Sequence, residues 1–174
     1  MFFLTSFIKG AHSLDNGIII RQMTENDLNQ VKQIIDLSFP IFYRFFATQS
    51  LHEEGQVIIC EIAGMVVGFA RLINFYIGGK KYGCILWIAV HPGFRRKGIA
   101  GSITSNGIQL LRQDGSRAVF ASTQRRNVGA LSVLSLQGFR RMSFLGLWRL
   151  FGWQFFKFYS EIWLTPGEIV LIHN

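Results

Sequence analysis

The segment Arg95-Arg96-Lys97-Gly98-Ile99-Ala100-Gly101 sets three basic side chains and two glycines ahead of a helical pattern. Such a segment suits an anion. The first amides of a helix lack intrahelical acceptors and point outward, and the aligned peptide dipoles favour negative charge there. The small residues Gly98, Ala100 and Gly101 let a phosphate approach the backbone, while Arg95, Arg96 and Lys97 add positive charge at the same place. Spacing narrows the choice of ligand. A dinucleotide fingerprint needs G-x-G-x-x-G directly after a strand, and a nucleoside-triphosphate loop ends in Gly-Lys-Ser/Thr. Here Lys97 precedes Gly98, and neither pattern is met.

The elements around this segment are those it needs. Ile85 to Val90 is a continuous apolar run, the length of a strand buried on both faces. His91-Pro92-Gly93 then breaks the strand. Ile99, Ile103 and Leu110, with Ala100, Gly107 and Leu111 beside them, predict an amphipathic helix that stops at Asp114-Gly115.

Before this unit, residues 1–16 read as an N-terminal extension and 17–22 as a first strand. Thr24 is a helix cap followed by Glu25 and Asp27, and Leu28, Val31 and Ile35 make the apolar stripe. Pro40 interrupts that helix, and the aromatics from Phe39 to Phe46 are too many for one narrow core stripe. They either pack under the first helix or line a pocket or membrane contact. Gln56–Glu61 and Met65–Asn74, joined at Ala63-Gly64, predict a hairpin, and Gly78-Gly79-Lys80-Lys81 a second turn. After the central helix, Arg117–Thr123 reads as a strand, and Ala130, Leu131 and Leu134 recur at helical spacing. In the Phe- and Trp-rich stretch up to Leu164, Arg149, Gln154, Lys157 and Glu161 would share one side of a helix. Its apolar side suits first a buried helix or hairpin covering the end of the sheet, or a dimer contact, and second a membrane surface. Pro166-Gly167 turns the chain into a last strand at Glu168–Ile172.

At 174 residues the chain fits a single domain with a real core. It is 49% hydrophobic and 16% charged, with 17 phenylalanines, so an exposed apolar surface is expected. The formal charge of +8 is not gathered into one block, which favours solubility or an anionic cofactor over a nucleic-acid or anionic-membrane surface as its reason. Cys60 and Cys84 sit in apolar runs and read as inert buried thiols; two cysteines and four scattered histidines make no zinc spacing, and no metal is expected. Apolar residues come before Lys9, the reverse of a secretory signal, and no uninterrupted apolar run reaches the ~18 residues of a spanning helix. The expected location is the cytoplasm, with peripheral membrane contact as its alternative.

Arg95-x-x-Gly98-x-Ala100 after a strand ending Val-x-Pro resembles the pyrophosphate loop of the GNAT superfamily of acyl-CoA-dependent N-acyltransferases. Asn127, Ala130, Val133, Gly138 and Phe139 fall in register with a second signature of that superfamily, in the right order and on the right element. The run IICEIAGMVVGFARL resembles its second and third strands. The close in Pro166-Gly167-Glu168 is similar to that of the ribosomal-protein alanine acetyltransferases, a match too short to transfer a substrate. The resemblance implies an α/β, GNAT-like fold: a mixed central sheet with splayed middle strands, flanked by helices. It covers residues 17–174, with a hydrophobic insertion at about 144–164.

The implied activity is acetyl transfer from acetyl-CoA to an amine, a small molecule or a peptide α-amine, by direct attack. Pantetheine would bond the backbone around Ile88, Ala89 and Val90, and the Val90 amide is the simplest stabiliser of the developing oxyanion. The pyrophosphate would lie on the amides of Gly98, Ile99, Ala100 and Gly101, assisted by Arg95, Arg96 and Lys97, with Asn127 at the cofactor or at a helix start. Two departures bear on catalysis. Leu134 stands where many relatives have a tyrosine acid, and Leu86 where some have a glutamate base. Glu61, Tyr82 and Cys84 are conceivable bases, each with a competing packing role, and no catalytic residue is assigned. The competing function is a catalytically weak acyl-CoA-binding or membrane-associated module of the same fold. The expected partners are acetyl-CoA and an amine acceptor, with a homodimer or membrane contact through 144–164 and no nucleic acid.

Overall fold

The structure is a computed structural model that describes His12–Leu14 and residues 17–174. Its strands are β1 (His12–Leu14), β2 (Ile18–Gln22), β3 (Gln56–Ile62), β4 (Met65–Ile77), β5 (Lys80–Val90), β6 (Val119–Gln124), β7 (Arg140–Arg141) and β8 (Glu168–His173). Its α-helices are α1 (Leu28–Ser38), α2 (Ile41–Ser50), α3 (Ile99–Gln113), α4 (Val128–Leu136), α5 (Phe144–Phe151) and α6 (Phe155–Glu161). The strands form one sheet in the order β1-β2-β3-β4-β5-β6-β8-β7. Among the described residues only β5 and β6 pair in parallel. Apart from β1, the expected N-terminal extension lies outside the described residues.

Strand alternation divides the core between two faces. Ile58, Cys60, Leu72, Val119 and Ala121 face α3 and α4, which contribute Ile99, Ile103, Leu111 and Leu134. Their neighbours Val57, Ile59 and Phe69 face the opposite way, where Val31, Ile34 and Ile35 of α1 and Ala47 of α2 cover them. On the same side Phe75, Tyr82, Phe120 and Val170 are covered by Leu147 and Phe151 of α5 and Phe155 and Phe158 of α6. The sheet is thus flanked by helices on both faces, as the sequence implied.

Local chemistry explains the joints. Ala63 (φ 49°) and Gly64 (φ 79°) both turn left-handed between β3 and β4, the two-residue hairpin that matches strand twist. Asp27 accepts from the Thr24 amide and hydroxyl, both at 2.8 Å, and from Arg21 at 2.7 and 2.9 Å, tying the entry of α1 to β2. The Arg21 guanidinium holds the Asp27 carboxyl well below the usual carboxylate range. Arg71 of β4 is buried, and its guanidinium donates to the carbonyls of Ser50, Glu53, Glu54, Gln56 and Leu72. Those bonds fix the end of α2 and the loop after it.

The stretch 142–164, expected as a helix or a hairpin, is two short helices. Gly152 (φ 55°) ends α5, and one 3-10 turn leads into α6. Leu147, Phe151, Phe155, Phe158 and Ile162 are buried in the core, whereas Phe144, Leu145, Trp153 and Phe156 remain exposed. No helix among the described residues is long and apolar enough to cross a membrane.

Candidate active site

The central parallel pair is short. Gly83, Cys84 and Ile85 lie beside Val119, Phe120 and Ala121, and there the pairing ends although both strands continue. The reason is visible on the other side of β5. Leu72 stands opposite Ile85 and Arg71 opposite Trp87, so Leu86 is an extra residue that bends the strand. Beyond this bulge β5 and β6 part, and a cleft of about 660 Å³ opens between them.

One end of the cleft is mainly backbone. The amide of His91 donates to the Val67 carbonyl at 2.8 Å, so alternation turns the peptide groups of Ile88 and Val90 to the unpaired edge. The Val90 carbonyl is taken by Arg95 Nε at 3.1 Å, and Arg95 Nη2 lies 3.3 Å from Ser38 Oγ. Arg95 therefore braces the strand end against α1. Gly98 caps α3 in a left-handed conformation (φ 79°), and a side chain there would meet nothing within 4 Å. The first i→i−4 acceptance in α3 is Gly98 C=O from Ser102 N–H at 3.1 Å. The amides of Ile99, Ala100 and Gly101 are thus left for a ligand.

Ile88 to Val90, Arg95, Arg96, Gly98 to Gly101 and Asn127 all line this cleft. Lys97 is not among its lining residues, and its ammonium lies 5.1 Å over the Phe94 ring. Asn127 Oδ1 accepts from the Ala130 amide at 3.1 Å and so caps α4. Leu86 and the buried Leu134 also line the cleft, and both are apolar.

The other end lies on the α1–α2 and α5–α6 side of the sheet, walled by Phe39, Tyr43, Trp87 and Trp163. The Phe39 and Trp87 rings are 5.6 Å apart and those of Tyr43 and Trp87 6.0 Å. The Trp87 indole N–H is buried without a partner among the described residues. None of the three bases weighed from the sequence lines the cleft. Glu61 is paired with Arg21 at 2.7 Å on the β2–β3 edge. Tyr82 is buried among Phe75, Phe120 and Phe151. Cys84 is buried too, and burial, followed by the charge of Glu168, pushes its thiol up. The acid that does line the cleft is Glu168, which sequence reasoning took only for the start of the last strand. Nothing along the chain sets it apart, because its neighbours Tyr43, Ser122 and Gln124 are remote in sequence.

Comparison with known proteins agrees with this architecture. Residues 23–139 match the model of the acetyltransferase (GNAT) family. The chain belongs to that family. A search of curated protein sequences found no match. Among solved structures, the ribosomal-protein-S18-alanine N-acetyltransferase from Escherichia coli superposes with a TM-score of 0.61 at 17% identity, over 89% of this chain and 92% of that one. The PaiA N-acetyltransferase from Thermoplasma acidophilum, solved with coenzyme A, gives 0.63 at 12% identity over 90% and 98%. A GNAT family acetyltransferase from Brucella melitensis in complex with acetyl-CoA gives 0.57 at 20% identity over 72% and 84%. At these identities the structural likeness concerns the fold.

Proposed function

We propose that the protein transfers an acetyl group from acetyl-CoA to an amine, with residues 17–174 forming the transferase domain. The observation that carries this reading is the gap between β5 and β6 running into the free amides at the start of α3. Unpaired strand edges need partners, and so do first-turn amides. A ligand with an amide-bearing arm and a diphosphate satisfies both at once. Acetyl-CoA brings the activated acyl group; the chain supplies the rest.

Gly98 lets the diphosphate reach the amides of Ile99 to Gly101, where the helix dipole favours negative charge. Arg96 adds positive charge at the rim, whereas Arg95 acts through the Val90 carbonyl that it anchors. Ile88 and Val90 hold the arm at the strand edge, and the Val90 amide, turned to that same unpaired edge, is the donor for the negative charge that develops on the acyl oxygen. With Leu134 in place of a phenolic acid, orientation is the principal contribution, and a well-oriented pair can gain on the order of 7–11 kcal/mol. Calorimetry with acetyl-CoA is expected to show one site of micromolar affinity, and thiol release is expected with at least one primary amine. Absence of binding heat would remove the acyltransferase reading; binding without turnover on any amine would leave an acyl-CoA-binding module.

A further inference from the structure

Three hydrogen bonds fix the carboxylate of Glu168. Oε2 accepts from Ser122 Oγ at 3.0 Å and from the Thr165 amide at 3.3 Å, and Oε1 from the Tyr43 hydroxyl at 3.4 Å. Gln124 Nε2 donates to that hydroxyl at 2.6 Å, and Thr165 Oγ1 lies 3.0 Å from it. Ser122 directly follows Ala121, the last residue of β6 paired with β5, so this cluster stands where the sheet opens. The ion pairs of the described residues join Arg21 to Asp27 and Glu61, and Lys157 to Glu161; Glu168 is in none of them. It is also the single carboxylate among the residues lining the cleft.

Resting on the acyl-transfer reading above, we infer that Glu168 takes the proton from the incoming acceptor, and that the acceptor is a cationic primary amine on an apolar, aromatic body. The charge and the walls select that class. Phe39, Tyr43, Trp87 and Trp163 offer ring faces and apolar area, and one negative charge sits at the strand edge beside them. Rings and a carboxylate both attract an ammonium, and the carboxylate repels an acidic acceptor. Arg96 and the free amides of α3 line one end of the cleft and Glu168 the other, so the two substrates enter from opposite ends.

The step balances without any further reactant. The ammonium gives one proton to the Glu168 carboxylate and becomes a free amine. Its lone pair forms the C–N bond to the acyl carbon as the C–S bond breaks and its electron pair leaves with sulfur. The second nitrogen proton passes to the departing sulfur, directly or through water, giving amide and thiol. Glu168 then returns its proton to solvent.

The groups around Glu168 set what a pH profile reports. Tyr43 faces it from α2, Ser122 and Gln124 from β6 and Cys84 from β5, while Arg125 and Arg126 share a solvent-open hollow with it. The test compares the full-length protein with Glu168→Gln and Glu168→Asp, using phenethylamine and tryptamine as probes and glutamate as the acidic control. Glu168→Gln is expected to lower kcat/KM for the amines by about 100-fold at pH 7, with acetyl-CoA affinity and Tm unchanged. The deficit shrinks as the pH approaches about 10, where an alkylammonium deprotonates unaided. Glu168→Asp keeps the acid limb of the pH profile and loses about tenfold in rate. An unchanged profile in Glu168→Gln overturns the inference. So does a loss of activity accompanied by lost acetyl-CoA binding or a lowered Tm, since a purely structural carboxylate behaves that way. If acetyl-CoA binds but neither amine is turned over or quenches tryptophan fluorescence, or if glutamate is preferred, the acceptor class is wrong. If acetyl-CoA itself fails to bind, the acyl-transfer reading falls first and this inference with it.

Discussion

The two ends of the cleft are built from different materials. At the α3 end the groups facing the cleft are mostly main-chain: the edges of Ile88 and Val90 and the amides of Ile99 to Gly101. At the opposite end they are side chains drawn from α2, β6 and β8, held together by the Tyr43–Glu168–Ser122 hydrogen bonds. A main-chain site depends on backbone conformation and tolerates many side chains, so it is written in a short run of glycines and small residues. A side-chain site depends on the relative placement of whole elements. The difference teaches where each end is vulnerable: the first to a change of φ, the second to anything that shifts α2 or the sheet opening.

That contrast can be broken most severely through Arg71, which ties the Ser50 carbonyl at the end of α2, and those of Glu53 and Glu54 after it, to the sheet. Arg71→Met strands several buried acceptors and is expected to cost about 4 kcal/mol in denaturant unfolding. Because α2 carries Tyr43, amine turnover in the surviving folded fraction should fall more than acetyl-CoA affinity. Equal losses would show that the two ends are not separable.

Gly98→Val attacks the other end alone. A branched side chain at φ 79° is strained although nothing lies within 4 Å of its Cβ, so the loop must rearrange. Acetyl-CoA binding by calorimetry is expected to weaken about 100-fold, close to 2.7 kcal/mol, with a much smaller change in Tm. An unaltered Kd would place the diphosphate elsewhere.

Asp27→Asn sharpens the comparison as a control, since Asp27 lies at neither end. Its carboxyl is held low by Arg21, so its contribution is complete above the unfolded value of about 4 and is lost as pH falls below it. The substitution should cost about 2 kcal/mol at pH 7, and the gap should begin to narrow below about pH 4 and close only as pH falls through the depressed folded value. Acetyl-CoA affinity should not move; a parallel loss of binding would show that the entry of α1 is coupled to the cleft.

Much of the fold could be read along the chain. The hairpin at Ala63-Gly64, the cap at Thr24, the break at His91-Pro92-Gly93 and the helix stop at Asp114-Gly115 are local chemistry, and each joint stands where its residues demand. The loop from Arg95 to Gly101 is local in the same sense. The division of 144–161 into α5 and α6 was hidden because helical periodicity runs on across Gly152, and the positive φ there, with the 3-10 turn that follows, separates them.

Other features had no local mark. The bulge at Leu86 exists because β4 and β5 change register between Arg71 and Leu72, and register belongs to a pair of strands. Glu168 comes within hydrogen-bonding distance of Tyr43, 125 residues earlier, because β8 lies beside β6 and α2 crosses the same edge. Glu61, Tyr82 and Cys84 have suitable chemistry but are carried to an ion pair or to the core. By itself the sequence determined the backbone cradle and the family, because short-range spacing sets backbone conformation. Which acid lines the cleft was decided only by the tertiary structure, because a side chain's surroundings are set by the long-range pairing of strands and helices.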